Sequence, residues 1–196
     1  MDQFRFIRLK KDFSAEVVPV PLELRPSIPP GGVSAKERNL DHSERVEQRL
    51  VELAAEQGEQ MVLPDLVPNT HLALVLGEYG RDLGEEVYWP LHLDIFRAYY
   101  VQGRDLGDRE VLLDVARAHD LDVDAVVAAW DDDTYEERLH EFHHMVLHLG
   151  IDQTPAALIC NELLIGTRPY GVLRDAVERC LVRPETLQEA SEPDEV

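Results

Sequence analysis

Gly150-Ile151-Asp152-Gln153-Thr154-Pro155 runs directly into the apolar stretch Ala156-Ala157-Leu158-Ile159-Cys160. A short apolar run opened by a proline reads as a buried strand. Asn161-Glu162 reads as a turn and Leu163-Leu164-Ile165 as a second short strand, so the segment predicts a β-hairpin. From Arg168 to Leu181 an amphipathic helix follows, with Val172, Leu173, Ala176, Val177 and Leu181 inward. Residues 183–196 are acidic and without periodicity, and they predict a disordered tail.

Upstream of Gly150 the pattern is almost wholly helical back to about residue 39. Leu40, Val46, Leu50, Leu53 and Ala54 recur at helical spacing, with Asp41 or Ser43 as cap and Gly58 as stop. Asn69 predicts the cap of a helix over 70–79. A second helix, over 85–101, carries Tyr88, Trp89, Leu93, Phe96 and Tyr100, and Pro90 is placed in its first turns, where amides lack an intrahelical acceptor. Asp108 and Asp122 cap helices over 111–119 and 125–130, and Asp133 or Thr134 caps one over 135–149. Before this block, Phe6, Leu9 and Phe13 share a helical face, although Phe and Ile in so short a stretch also suit a strand. Glu16 to Leu24, rich in Val and interrupted by Pro19 and Pro21, reads as an edge or irregular strand. The prolines and glycines of residues 29–32 make a loop.

The chain of 196 residues carries a net charge of -20 and is 44% apolar. That length holds one domain, or one domain with an insertion. Such an acidic chain cannot neutralise phosphates, which excludes nucleic acid and anionic membrane surfaces as partners. No apolar run is long enough to span a bilayer, and the N-terminal residues lack a signal-type apolar core. The expected location is therefore cytoplasmic. The two cysteines, Cys160 and Cys180, are far apart and too few for a disulfide scaffold.

The order of these elements, and four segments within it, resemble the DsbA family of thioredoxin-fold proteins. The likeness is closest to its FrnE-type branch, related to the 2-hydroxychromene-2-carboxylate isomerases. The segments are Leu22-Glu23-Leu24-Arg25-Pro26 through Gly31; Asn69-Thr70-His71-Leu72-Ala73; Phe96-Arg97-Ala98-Tyr99-Tyr100 with Gly103-Arg104-Asp105; and Leu149 to Ile159 with Gly166-Thr167-Arg168-Pro169-Tyr170. The resemblance implies an α/β, DsbA-like thioredoxin fold with a large helical insertion. Residues 1–32 would be a partial N-terminal thioredoxin segment and 33–149 the inserted subdomain. Residues 150–182 would be the C-terminal hairpin and helix. It also implies that Pro155 follows a cis peptide bond, and that the backbone of Thr154 pairs with an extended substrate peptide.

The same family begins with a strand and a Cys-Pro-x-Cys at a helix start, where the dipole favours the thiolate. Neither occurs in this sequence. The preferred reading puts Met1 inside the first helix of a longer protein, because losing a central strand exposes sheet edges and core. The other reading is that the catalytic front has been lost. Ser14 is no substitute for the serine that the glutathione-dependent isomerases use, since it stands just before the strand.

His140-Glu141-Phe142-His143-His144 matches H-E-x-x-H, the zinc-hydrolase spacing. Leu147 stands where the metzincin pattern needs glycine, and the downstream ligand would have to be Glu162. Histidines on the outer face of a helix, with Leu139, Phe142, Val146 and Leu149 inward, are the favoured reading. Cys160 and Cys180 read as small core residues; a disulfide between them is conceivable, but nothing in the sequence supports it. Asp131-Asp132-Asp133 is a solvated cap, not a calcium loop. Gly77, Gly80 and Gly84 open no phosphate loop. Tyr88, Trp89, Phe96, Tyr99 and Tyr100 read as core between helices rather than a peptide groove, although one edge could line a groove.

The expectation is thus a thiol–disulfide oxidoreductase or isomerase family member without its dithiol. Thr154 and Pro155 are its substrate-binding residues. No catalytic residue, metal ligand or cofactor is assigned. Protein or peptide thiols are the expected partners of an active form, and a homodimer is compatible with the chain. The alternatives are a non-catalytic peptide-binding module and a zinc hydrolase.

Overall fold

The computed structural model describes residues 2–35, 48, 51, 52, 54, 55, 58, 60–62 and 64–182. In chain order the elements are α1 (Asp2–Phe13), β1 (Val33–Ser34), β2 (Leu66–Val67), α2 (His71–Asp82), α3 (Glu85–Tyr100), α4 (Arg109–Ala118), α5 (Val123–Asp131), α6 (Glu136–His148), β3 (Ala156–Ile159), β4 (Glu162–Ile165) and α7 (Tyr170–Val182). The expected helix over 39–58 lies largely outside the described residues, and the expected tail over 183–196 wholly so. Among the described residues no helix is long and apolar enough to cross a membrane.

Two compact units emerge, one of residues 20–149 and one of residues 2–19 with the chain from Gly150 on. The boundary falls at Pro19–Val20 rather than at the expected residue 32. Residues 20–32 belong with the helices: Ile28 is buried, and the Asn69 side-chain amide donates to its carbonyl at 2.6 Å. The expected strand over 16–24 is absent. Prolines 19 and 21 have no amide to donate, and the stretch joins no ladder.

In the helical unit, α2 lies against α3, α4, α5 and α6. Its sequence supports this position, because apolar residues occupy more than one face. Leu76 is fully buried together with Leu91 of α3 and Leu112 and Ala116 of α4, and Trp130 of α5 closes the cluster. The Trp130 indole donates to the Leu72 carbonyl at 3.1 Å. Gly80 lets the Leu91 side chain of α3 pack against the α2 backbone, since a Cβ there would collide with it. Gly77, one turn earlier, faces open space.

Glu78 is the one charged residue that α2 buries, at 1% exposure. Its carboxylate accepts from Arg81 at 3.1 Å and from Arg138 of α6 at 3.2 Å. Arg138 also forks onto Asp82 at 2.8 and 3.3 Å. Two guanidiniums therefore compensate the buried charge, and the second of them fastens α6 to α2.

Caps follow the sequence at two helices and not at a third. Asp108 accepts from the Glu110 amide and Asp122 from those of Asp124 and Ala125. Helix α6 starts after Tyr135 without a side-chain cap, contrary to the expectation for Asp133 or Thr134. Pro90 is the sixth residue of α3, beyond the amides that lack acceptors. The helix tolerates it because it lies on an exposed face, where the freed Glu86 carbonyl is open to solvent. Along α3, Trp89, His92, Phe96 and Tyr100 form a stacked ladder with centroids 6.4, 4.9 and 6.0 Å apart. Phe96 and Tyr100 are exposed, so this face is not the core that the sequence suggested. Burial pushes His92 down to about 4.

The second unit is built from α1, the β3–β4 hairpin and α7. Leu9 of α1 and Leu173 and Ala176 of α7 are buried. The Tyr170 hydroxyl donates to Asp12, which holds that carboxyl below its usual range, and the Arg8 guanidinium covers the Tyr170 ring at 4.0 Å. β3 and β4 pair antiparallel from Ala156↔Ile165 to Ile159↔Glu162. They are half-buried rather than buried, with Leu158 50% exposed. Val172 and Leu181, expected inward, are exposed, as is Leu149 at the end of α6.

The two α2 glycines supply a matched test. Gly77→Ala should stabilise the protein by about 0.5–1 kcal/mol, the helix-propensity gain. Gly80→Ala should destabilise it by about 1–3 kcal/mol through overpacking against Leu91. Urea unfolding followed by circular dichroism measures both, and equal effects would refute the close approach. In the same assay Arg138→Ala should cost about 1–3 kcal/mol by leaving the buried Glu78 carboxylate short of a donor. Asp82→Ala, which cuts the exposed branch of the fork and the Tyr135 hydroxyl's bond to Asp82, should cost less, because Glu78 keeps both its donors.

Candidate functional site

Helix α6 ends at His148, and Gly150 turns the chain with φ 69°. Asp152, Gln153 and Thr154 are exposed, whereas Pro155 is half-buried at the mouth of β3. The Thr154–Pro155 peptide bond is cis. The Pro155 carbonyl accepts from the Gly166 amide at 2.8 Å, which extends the hairpin by one bond beyond its register. Thr154 thus stands just outside the ladder with its side chain in solvent.

At the other end of β3 the turn is Cys160-Asn161, one residue earlier than expected, with Cys160 at φ 51°. Cys160 is exposed and joined in a disulfide to Cys180 of α7, their Cα atoms 6.1 Å apart. This corrects the reading of both as small core residues. A Cys pair split between a hairpin tip and a helix has no local spacing signal, which is why the sequence left this disulfide conceivable but unsupported. The four residues of β3 separate Cys160 from Pro155, roughly 15 Å at strand rise. The pair therefore does not face Thr154 as a Cys-x-x-Cys would.

The H-E-x-x-H residues are helical. His140 and His144 approach with their Nε2 atoms 2.8 Å apart, and Glu141 is exposed. Among the described residues no group of three or more His, Cys, Asp or Glu is placed to hold a metal ion. The Glu162 carboxylate, named as the downstream ligand, is gripped by Arg179 at 2.7–3.2 Å.

A constellation invisible in the sequence lies in the helical unit. Pro21, Glu23 and Pro26 of the extended segment, His71 and Leu74 of α2, and Glu136, Leu139, His140 and His143 of α6 line a cleft of about 290 Å³. The His71 ring bridges two carboxylates, with Nδ1 3.3 Å from Glu23 and Nε2 2.7 Å from Glu136. Residues 48 and 65 positions from His71 share no pattern with it, so nothing local marks them. The hydrogen bond to Glu23, together with the two negative charges, outweighs partial burial and raises His71 to about 9. The imidazolium so held clasps the extended segment to α6. A raised histidine stabilises the fold fully below its unfolded value near 6.5 and loses that effect as pH climbs through about 9. Stability should accordingly fall by about 1–2 kcal/mol between pH 6.5 and 9.5, a figure reduced for solvent screening. His71→Gln should flatten that slope in urea titrations at each pH; an unchanged slope would refute the clasp.

A DSBA-like thioredoxin domain model matches residues 3–178. No curated protein matches. Among solved structures, a 2-hydroxychromene-2-carboxylate isomerase superposes with a TM-score of 0.74 at 18% identity, covering 91% of this chain and 88% of its own. A probable DsbA oxidoreductase from Streptomyces coelicolor superposes with a TM-score of 0.75 at 20% identity, covering 99% of this chain and 87% of its own. At such identities the superpositions speak for the fold, a DsbA-like thioredoxin fold rich in helices, and the match over most of the chain speaks for descent. The protein belongs to the DSBA-like thioredoxin domain family.

Proposed function

We propose that these residues form the polypeptide-binding part of a thiol–disulfide oxidoreductase or isomerase site of FrnE-like type, without a dithiol of the Cys-x-x-Cys kind. The observation that carries this reading is the family match over residues 3–178 in a sequence whose cysteines are Cys160 and Cys180 alone. An extended peptide adds to the backbone at Thr154, beside Pro155, as one more strand-like segment. Exposure of Thr154 beyond the end of the β3–β4 ladder leaves room for such a partner. Main-chain hydrogen bonds supply affinity without sequence preference, which suits unfolded protein substrates.

The purified chain should bind a permanently unfolded, carboxymethylated polypeptide in a fluorescence-anisotropy titration. Thr154→Pro removes the amide and should weaken binding about tenfold, the worth of one well-formed hydrogen bond, while Thr154→Ser should leave it unchanged. Reduction of insulin by dithiothreitol should proceed at its uncatalysed rate in the presence of the chain. Catalysed insulin reduction, or binding indifferent to Thr154→Pro in a folded variant, would overturn the proposal.

A further inference from the structure

The Cys160–Cys180 pair has a setting that its family membership does not explain. Cys160 occupies the exposed two-residue turn of the hairpin, and Cys180 is part-buried in the last turn of α7. Beside the disulfide runs a second link between the same two elements. The Arg179 guanidinium forks onto Glu162, Nε to Oε2 at 3.2 Å and the terminal nitrogen to Oε1 and Oε2 at 2.9 and 2.7 Å. Arg179 adjoins Cys180 in sequence, and Glu162 is two residues from Cys160. Buried Leu173 and Ala176 anchor α7 independently of either link. Breaking the sulfur–sulfur bond therefore leaves the hairpin tip and the helix end held together, with both thiols still opposed. A disulfide that closes among preorganised partners re-forms at high effective concentration, and one with an exposed sulfur is open to attack by an external thiolate.

We propose that Cys160 and Cys180 are a reversible thiol–disulfide exchange site for low-molecular-weight thiols and disulfides, with Cys160 the attacking sulfur and Cys180 the resolving one. In the oxidising direction the Cys160 thiolate attacks a small disulfide RSSR. A Cys160–SR mixed disulfide forms and one thiolate RS⁻ leaves. The Cys180 thiolate then attacks the Cys160 sulfur, closing the intramolecular disulfide and expelling the second RS⁻. The two expelled thiolates take up the two protons that the protein thiols gave. The protein pair loses two electrons, and RSSR becomes two RSH. Attack of a small thiolate on Cys160 runs the sequence backwards. This site is separate from the peptide-binding reading, since Thr154 takes no part in it.

The test uses the full chain equilibrated in buffers of reduced and oxidised glutathione, with thiols then trapped by a maleimide and counted by mass spectrometry. Wild type should pass from two free thiols to none in one transition, without covalent dimers. Cys180→Ser should accumulate one glutathione at residue 160. Cys160→Ser should react at least several-fold more slowly at residue 180. Arg179→Ala should lower the equilibrium constant for ring closure several-fold while circular dichroism stays unchanged. Independently of any variant, peptide mapping of briefly alkylated, reduced wild type should find Cys160 labelled before Cys180. The proposal is overturned if both thiols stay free in excess glutathione disulfide, or if the disulfide resists a large excess of reduced glutathione. Faster labelling of Cys180 than of Cys160 would reverse the assigned roles and overturn the mechanism.

Discussion

The buried carboxylate of Glu78 is the constraint from which the helical unit is organised. A charge at 1% exposure on the central helix is tolerable only with donors at both oxygens. Arg81 supplies one from the same helix, and Arg138 supplies the other from α6. The second donor sets where α6 lies on α2, and with it where Glu136, Leu139, His140 and His143 point. The cleft around His71 follows from that placement, because its walls are α2, α6 and the segment that Glu23 ties down. Close packing at Gly80 and Leu91 does the same for α3, by shape rather than charge. Electrostatics thus fixes one neighbour of α2 and sterics another.

The small second unit works by different means. It has few buried apolar side chains, Leu9, Leu173 and Ala176 chief among them. Directional links supplement that core: the Asp12–Tyr170 hydrogen bond, the Arg8–Tyr170 contact, the Glu162–Arg179 fork and the disulfide. Thr154 and Pro155 sit at one end of the hairpin and the sulfur pair at the other. One strand therefore has the two proposed sites at its opposite ends, too far apart to act on one bond.

Much of the fold was legible from residues alone because it is written in local patterns. Helical periodicity located α2 to α7, and Asp108 and Asp122 announced their caps. The hairpin was visible from its apolar runs, though its turn was misplaced by one residue because Cys160 adopts a left-handed conformation more typical of glycine or asparagine. Thr154 and Pro155 are singled out by the family resemblance, not by any local pattern of their own. Long-range relations were illegible. Nothing near Glu78 in sequence points to Arg138, nothing near His71 points to Glu23 or Glu136, and Cys160 does not advertise Cys180. Burial was overestimated for Leu149, Val172 and Leu181 because periodicity reports which residues share a face, not whether that face is covered. The strand expected over 16–24 failed because valines favour extended backbone, whereas prolines forbid the ladder.

The unequal continuity of the two units has a consequence for how the chain is made. The helical unit is one unbroken stretch, so all its partners leave the ribosome in order. The other unit is interrupted: the Asp12–Tyr170 bond joins residues 158 apart. Helix α1 is synthesised before the other described elements and must wait, without its hairpin or α7, while the whole helical unit emerges. Closing so long a loop in an unfolded chain is entropically costly, and that cost shrinks once the intervening residues have collapsed into their own core. Folding of the helical unit thereby eases the joining of α1 to α7 within the second unit, and among the described elements newly made α1 waits longest for its partners.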